Sequence, residues 1–220
     1  MSTRLTDLDT FGVPEKINIA IAGLIGAGKT ELARRLGPLF RVPVYEEDVI
    51  EVDYLTRFYG DMKRYSFGLQ IHLLNKRFLQ AQQMTWGDKG GVQDRSFYED
   101  EVFAGMLVKA KLMEEHEFRD YTKLAHTMKR FLPQPHLIVF LEVSPEKSLE
   151  RIKLRNRGWE SVTIEYLRDL HAAYQAFIGE VSKQIPVIKV NWEEFEDATV
   201  VANKVMKKWS TEIAKPHELH

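Results

Sequence analysis

The sequence predicts an α/β fold, a five-stranded parallel sheet flanked by helices on both faces, in a single domain. Two observations carry this. Five short strand-like runs, at 17–22, 42–45, 91–94, 137–143 and 186–190, alternate with segments of helical apolar spacing, and strand then helix in repetition implies right-handed crossovers. The fourth run, Leu-Ile-Val-Phe-Leu-Glu-Val, is almost continuously apolar, as expected of a central parallel strand covered on both sides.

Between and beyond the strands, the spacing predicts helices over 29–36, 64–84, 100–113, 145–154, 164–181 and 197–209. With 44% hydrophobic and 29% charged residues, the 220-residue chain can bury one substantial core. One domain over 1–220 is therefore expected, with 1–15 a loose N-terminus. Thirty-one basic against thirty-two acidic residues leave a formal net charge of -1, so no general attraction to a nucleic-acid polymer or a membrane is expected. No cysteine is present, which excludes disulfides, thiolate catalysis and cysteine metal sites. The seven histidines lack ligand spacing, and no apolar run approaches the roughly 18 residues of a membrane span. A soluble, cytoplasmic protein is the expectation.

Directly after the first strand stands Gly23-Leu24-Ile25-Gly26-Ala27-Gly28-Lys29-Thr30, which fits the P-loop pattern G-x-x-x-x-G-K-[ST]. Glycines let the backbone curl until several N–H groups face one phosphate, with the positive end of the next helix behind them. Gly23, Ala27 and Gly28 would line this cradle, Lys29 would reach the β- and γ-phosphates of ATP, and the Thr30 hydroxyl would ligate Mg²⁺. The fold expectation sharpens to a P-loop NTPase. A GTPase is disfavoured, because Asn75-Lys76-Arg77-Phe78 lacks the aspartate of a guanine-reading motif.

The acceptor must be read elsewhere. Glu46-Glu47-Asp48 follows the second strand, at the sheet edge where open α/β folds hold ligands, though a solvated acidic loop reads equally well. Gln70 and Arg77 lie two helical turns apart, roughly 10 Å along the axis, beside Phe67, Ile71, Leu74 and Phe78. They suit the polar edge of a base, or simply the margin of a core stripe. Asp94-Arg95-Ser96 ends the third strand, where an acid beside an arginine can orient an acceptor and hold Mg²⁺ through water, or form a structural ion pair. Arg151, Arg155 and Arg157 follow the fourth strand. They fit a lid over transferring phosphates, or a helix C-terminus enriched in cations.

As an ordered set these motifs resemble the deoxynucleoside kinase family over nearly the whole chain. The resemblance implies an ATP-dependent transfer to the 5′-hydroxyl of a deoxynucleoside, in nucleotide salvage. It makes Glu47, in Glu47-Asp48-Val49, similar to the family's catalytic base, with an aspartate where the family has proline and Glu46 as the alternative. Tyr59 matches the sugar-binding tyrosine and Gln70 the base-reading glutamine. Arg95 matches the motif arginine, Asp94 the acid behind the Mg²⁺ water, Arg151, Arg155 and Arg157 the lid, and Glu160 the lid acid that holds the 3′-hydroxyl. Arg77 with Asp100 is similar to the pair in relatives that accept deoxyadenosine, deoxyguanosine or deoxycytidine, so thymidine should be poor. The short segment between strands three and four, and Asp94 in place of glutamate, resemble bacterial purine enzymes and favour a purine. The family also implies a homodimer, with helices 64–84 and 100–113 offering a face.

Two rivals stand beside this. A nucleoside monophosphate kinase shares the P-loop, an Asp-Arg motif and an arginine lid, but the carboxylates at 46–48 would repel its acceptor's phosphate. A catalytically silent relative serving as a structural subunit should show a decayed P-loop, whereas Lys29 and Thr30 are in place.

Overall fold

The computed structural model describes residues 14–46, 52–157 and 162–213. Its strands are β1 (Ile17–Gly23), β2 (Val44–Tyr45), β3 (Gly90–Asp94), β4 (Leu137–Glu142) and β5 (Val187–Asn191). They form one parallel sheet in the order β2-β3-β1-β4-β5. Ile19 is registered with Val92 on one side and Leu137 on the other. Every residue of β1 is buried, as is nearly all of β4.

The helices are α1 (Lys29–Phe40), α2 (Val52–Gly60), α3 (Met62–Trp86), α4 (Asp100–Lys109), α5 (Glu115–Lys129), α6 (Pro145–Arg155), α7 (Ile164–Val181) and α8 (Ala198–Lys208). A 3₁₀ turn, Phe97–Glu99, joins β3 to α4, and a π turn, Trp209–Ile213, follows α8. The chain leaves β1 for β2 at one edge, returns to β3, then crosses to β4 and β5 on the far side. That reversal opens a crevice over the C-terminal ends of β1, β3 and β4. The P-loop, Asp94-Arg95 and the arginine-bearing α6 all start there.

Several boundaries depart from expectation. α1 does not stop at Leu36 but carries Pro38 into its last turn, because Phe40 beyond it is buried in the core. The chain then exits through Arg41 at φ 56, with the Arg41 and Val42 N–H groups on the carbonyls of Pro38 and Gly37. The helix expected over 100–113 ends at Lys109, where Lys111 at φ 58 lets Leu112 N–H reach the Leu107 carbonyl at 2.8 Å. α2 and α5 were not anticipated. α5 buries only Tyr121 and Ala125; its apolar residues do recur at helical spacing, through Phe118, Tyr121, Leu124 and Met128, and the polar average of the segment hides that stripe.

Candidate active site

The crevice is a cleft of about 670 Å³ with the P-loop at one end. Gly28 begins α1 at φ 94, and Lys29, 6% exposed, curls back so that Nζ donates to the Gly23 carbonyl at 3.1 Å and the Leu24 carbonyl at 2.8 Å. The Thr30 hydroxyl donates to Asp94 Oδ2. Asp94 is buried, and its Oδ1 has no hydrogen-bond partner. A hydroxyl and an orphaned buried carboxylate oxygen at a helix start are hard oxygen donors of the kind Mg²⁺ takes. Gly26 has a different role. At φ 79, a Cβ there would lie 2.8 Å from both Ile152 Cγ1 and the Ser148 carbonyl, so this glycine lets α6 pack on the loop. The Ser148 hydroxyl completes that contact by donating to the Ile25 carbonyl.

At the opposite end, Leu55, Phe58, Leu69, Leu73 and Phe103 form apolar walls. Gln70 and Arg77 both line the cleft from α3, and both are 3% exposed. Gln70 Oε1 has no hydrogen-bond partner. Arg77 pairs with Asp100, the first residue of α4, in an ion pair that is almost wholly buried. Tyr59 on α2 reaches the cleft with its ring edge-on to Phe58 at 5.1 Å. The expected base-facing and sugar-facing residues of α2 and α3 therefore share one chamber, and Asp100 of α4 is joined to it through Arg77.

Arg95 adopts φ 70, lies over the Phe103 ring at 4.6 Å and donates from Nη1 to the Tyr174 hydroxyl at 3.0 Å. The Tyr174 hydroxyl donates to Glu99 Oε2 at 2.7 Å, while Glu99 Oε1 accepts from Ser96 N–H at 3.0 Å. Burial pushes the Glu99 carboxyl pKa up, and the charges of Arg95 and Lys29 pull it back. Burial also raises Tyr174 well above the ordinary phenol value, and raises the cleft-lining Tyr166 to about 12. Neither Glu99 nor Tyr174 was anticipated. The Ser96-x-x-Glu99 spacing of a capping box was a readable signal for Glu99. Nothing in the local sequence marks Tyr174.

The carboxylate cluster is only partly described. Glu46 is held bidentately by Arg34 of α1, at 2.6 and 2.7 Å, and that hydrogen bond lowers its pKa. A carboxylate so engaged is a weak base. Glu47, Asp48 and Glu160 lie outside the described residues. Of the three lid arginines, all line the cleft, but Arg151 does not simply join the others. Its guanidinium donates to the carbonyls of Ala27 at 3.3 Å, Trp192 at 2.8 Å and Glu193 at 3.0 Å, and lies 4.2 Å from the centre of the Phe195 ring. It clasps the P-loop to the segment after β5, while Arg155 and Arg157 are exposed at the cleft rim. Among the described residues no cluster of three or more histidine, aspartate or glutamate side chains is gathered as for a metal, and no helix is long and apolar enough to cross a membrane.

Residues 19–214 match the family described as deoxynucleoside kinase. The deoxyadenosine kinase of Dictyostelium discoideum is 50% identical over 198 residues, which cover 90% of this chain and 81% of that protein. The deoxyadenosine/deoxycytidine kinase of Bacillus subtilis is 34% identical over 188 residues, covering 84% and 86% of the two chains. Among solved structures, deoxyadenosine kinase from M. mycoides with the products dCMP and a flexible dCDP bound superposes with a TM-score of 0.77 at 25% identity, over 88% of this chain and 99% of that one.

Proposed function

Because the chain belongs to the deoxynucleoside kinase family, phosphotransferases that act on an alcohol group, we propose that it moves the γ-phosphoryl group of ATP to the 5′-hydroxyl of a purine deoxynucleoside, deoxyadenosine first, in salvage of nucleotides in the cytoplasm. The observation that carries this is the cleft lined by a P-loop and by Arg77, which is backed by buried Asp100, and by Gln70, whose Oε1 is orphaned. A guanidinium, a carboxylate and an amide offer donors and acceptors to a base edge bearing an amino group. A thymine methyl directed at that edge would meet the charged Arg77–Asp100 pair. The 50% identity to a deoxyadenosine kinase supports the same choice.

In this reading Glu47 takes the proton of the 5′-hydroxyl as its oxygen attacks the γ-phosphorus in line. The Arg34 contacts of Glu46 leave Glu47 the better candidate. Gln70, Arg77 and Asp100 hold the base, Tyr59 and Glu160 the 3′-hydroxyl, and Arg95 the acceptor oxygen, which fixes a near-attack geometry. Gly23, Ala27, Gly28 and Lys29 cradle the phosphates. Arg155 and Arg157 neutralise charge on the transferring group, and Arg151 holds the loop that carries the donor nucleotide. Thr30 and, through water, Asp94 would hold Mg²⁺, which when bound offsets charge on the phosphoryl oxygens.

The test is a Mg-ATP phosphorylation assay across deoxyadenosine, deoxyguanosine, deoxycytidine, thymidine and their monophosphates. Deoxyadenosine should give the highest kcat/KM and thymidine the lowest among the nucleosides. Phosphorylation of a monophosphate alone would reject the reading of the acceptor chamber.

A further inference from the structure

Behind Arg95 lies a layer that the reaction scheme does not use. Glu99 is 0% exposed, and an ionised carboxylate buried that completely is costly unless it is fully hydrogen-bonded. Its two oxygens accept from Ser96 N–H and from the Tyr174 hydroxyl, and the Tyr174 oxygen accepts from Arg95 Nη1. Only one arrangement of protons satisfies this row. A guanidinium can only donate and a phenol carries a single proton, so the Tyr174 proton points to Glu99, and Glu99 accepts at both oxygens.

We propose that Tyr174 and Glu99 are positioning residues which aim the Arg95 guanidinium at the acceptor hydroxyl, with Glu99 setting the direction of the relay. The proposal rests on the reading of Arg95 as a contact to the reacting oxygen. Arg95 is held on one side by the Phe103 ring and at one nitrogen by the Tyr174 oxygen. Removal of that oxygen takes one aiming hydrogen bond from the guanidinium while the ring contact remains. Tyr174 belongs to α7, the helix that follows the Arg155 and Arg157 segment, so the relay also ties α7 to the end of β3. A purely structural Tyr174 makes a different prediction. Its ring stacks on Phe140 at 5.9 Å and meets Phe103 edge-on at 6.0 Å, and phenylalanine preserves both contacts.

Steady-state kinetics with Mg-ATP and deoxyadenosine, alongside thermal unfolding, would compare the wild type with Tyr174→Phe, Glu99→Gln, Arg95→Lys and the double variant Tyr174→Phe/Arg95→Lys. Tyr174→Phe should lower kcat about tenfold while KM for deoxyadenosine stays within about threefold. Glu99→Gln should lower kcat at least as far, because whichever way the amide faces, its NH₂ meets Ser96 N–H or a Tyr174 oxygen already occupied by Arg95. Adding Tyr174→Phe to Arg95→Lys should cost less than about twofold more, the non-additivity of residues that act as one unit. Wild-type activity on deoxyadenosine with an unchanged kcat in Tyr174→Phe overturns the proposal and leaves the proposed reaction standing. So does a full tenfold loss in the Arg95→Lys background, since Tyr174 would then act through something else. A wild type inactive on every deoxynucleoside overturns the proposed reaction, and the positioning role with it.

Discussion

Arg77 and Asp100 keep 3% and 1% of their surface, so removing Arg77 leaves the Asp100 carboxylate buried without the guanidinium that balances it. Arg77→Ala alone should cost about 3–5 kcal/mol of stability, which differential scanning fluorimetry would show as a fall in Tm of roughly 10 °C. Arg77→Met together with Asp100→Ala should recover much of that loss. The double variant should also raise kcat/KM for thymidine relative to deoxyadenosine, since an uncharged wall accepts the methyl group; an unchanged ratio would show that base choice is made elsewhere. Glu46 supplies a second test. Its carboxylate is already engaged by Arg34, so Glu46→Gln should leave kcat within about twofold, while Glu47→Gln should lower it by about 10²-fold or more, the usual weight of a general base. The reverse pattern would transfer the role to Glu46. Spacing along the chain singles out Lys29 and Thr30 as a P-loop; two turns of one helix and a strand end offer Gln70, Arg77 and Asp94 as candidates, and the family resemblance chooses the site reading for them. Glu99 and Tyr174, 75 residues apart, meet only through the fold, and no local rule joins them.

At the scale of elements, the strands and the longer, more apolar helices α3 and α7 are read from the sequence, and α5 is missed because its apolar stripe is set in a polar segment. The P-loop also carries a packing contact that its motif does not announce. Gly26 stands inside the phosphate cradle, yet the atoms that forbid a side chain there belong to α6. Gly26→Ala would set a Cβ against Ile152 and the Ser148 carbonyl at a positive φ, costing about 1–3 kcal/mol. Because α6 carries Arg151 and Arg155, a shift of that helix should also raise KM for ATP several-fold more than KM for deoxyadenosine. Equal changes in both constants would place the effect outside the donor end. Arg151 follows the same logic. Sequence spacing groups it with Arg155 and Arg157, but its place one turn before the end of α6, beside the P-loop, brings it to backbone carbonyls on either side of the donor end.

For the whole molecule, a homodimer would draw little from the apolar side of α4. The apolar side chains of α4, Val102, Phe103, Ala104, Met106 and Leu107, are buried within the protomer, so that helix has no apolar stripe to share. Exposed apolar side chains gather instead on α3, with Leu79 at 49% and Trp86 at 76% exposure, and on α5 and the turn after it, with Leu124 at 42% and Phe131 at 70%. α3 and α5 pack against each other. We propose that these two helices form the homodimer face. A stable interface hides about 800 Å² per partner, more than four side chains supply, so polar residues flanking them on both helices must contribute the rim. With a formal net charge of -1, two copies approach without appreciable repulsion. Light scattering after size exclusion should give about twice the 25.6 kDa chain mass. Trp86→Glu combined with Phe131→Glu should give monomers, since two carboxylates per chain would have to be desolvated in the apolar centre of the contact. Neither residue lines the cleft, so kcat should persist in the monomer if the cleft works within one chain. A monomeric wild type, or a dimer that survives both substitutions, would reject this face.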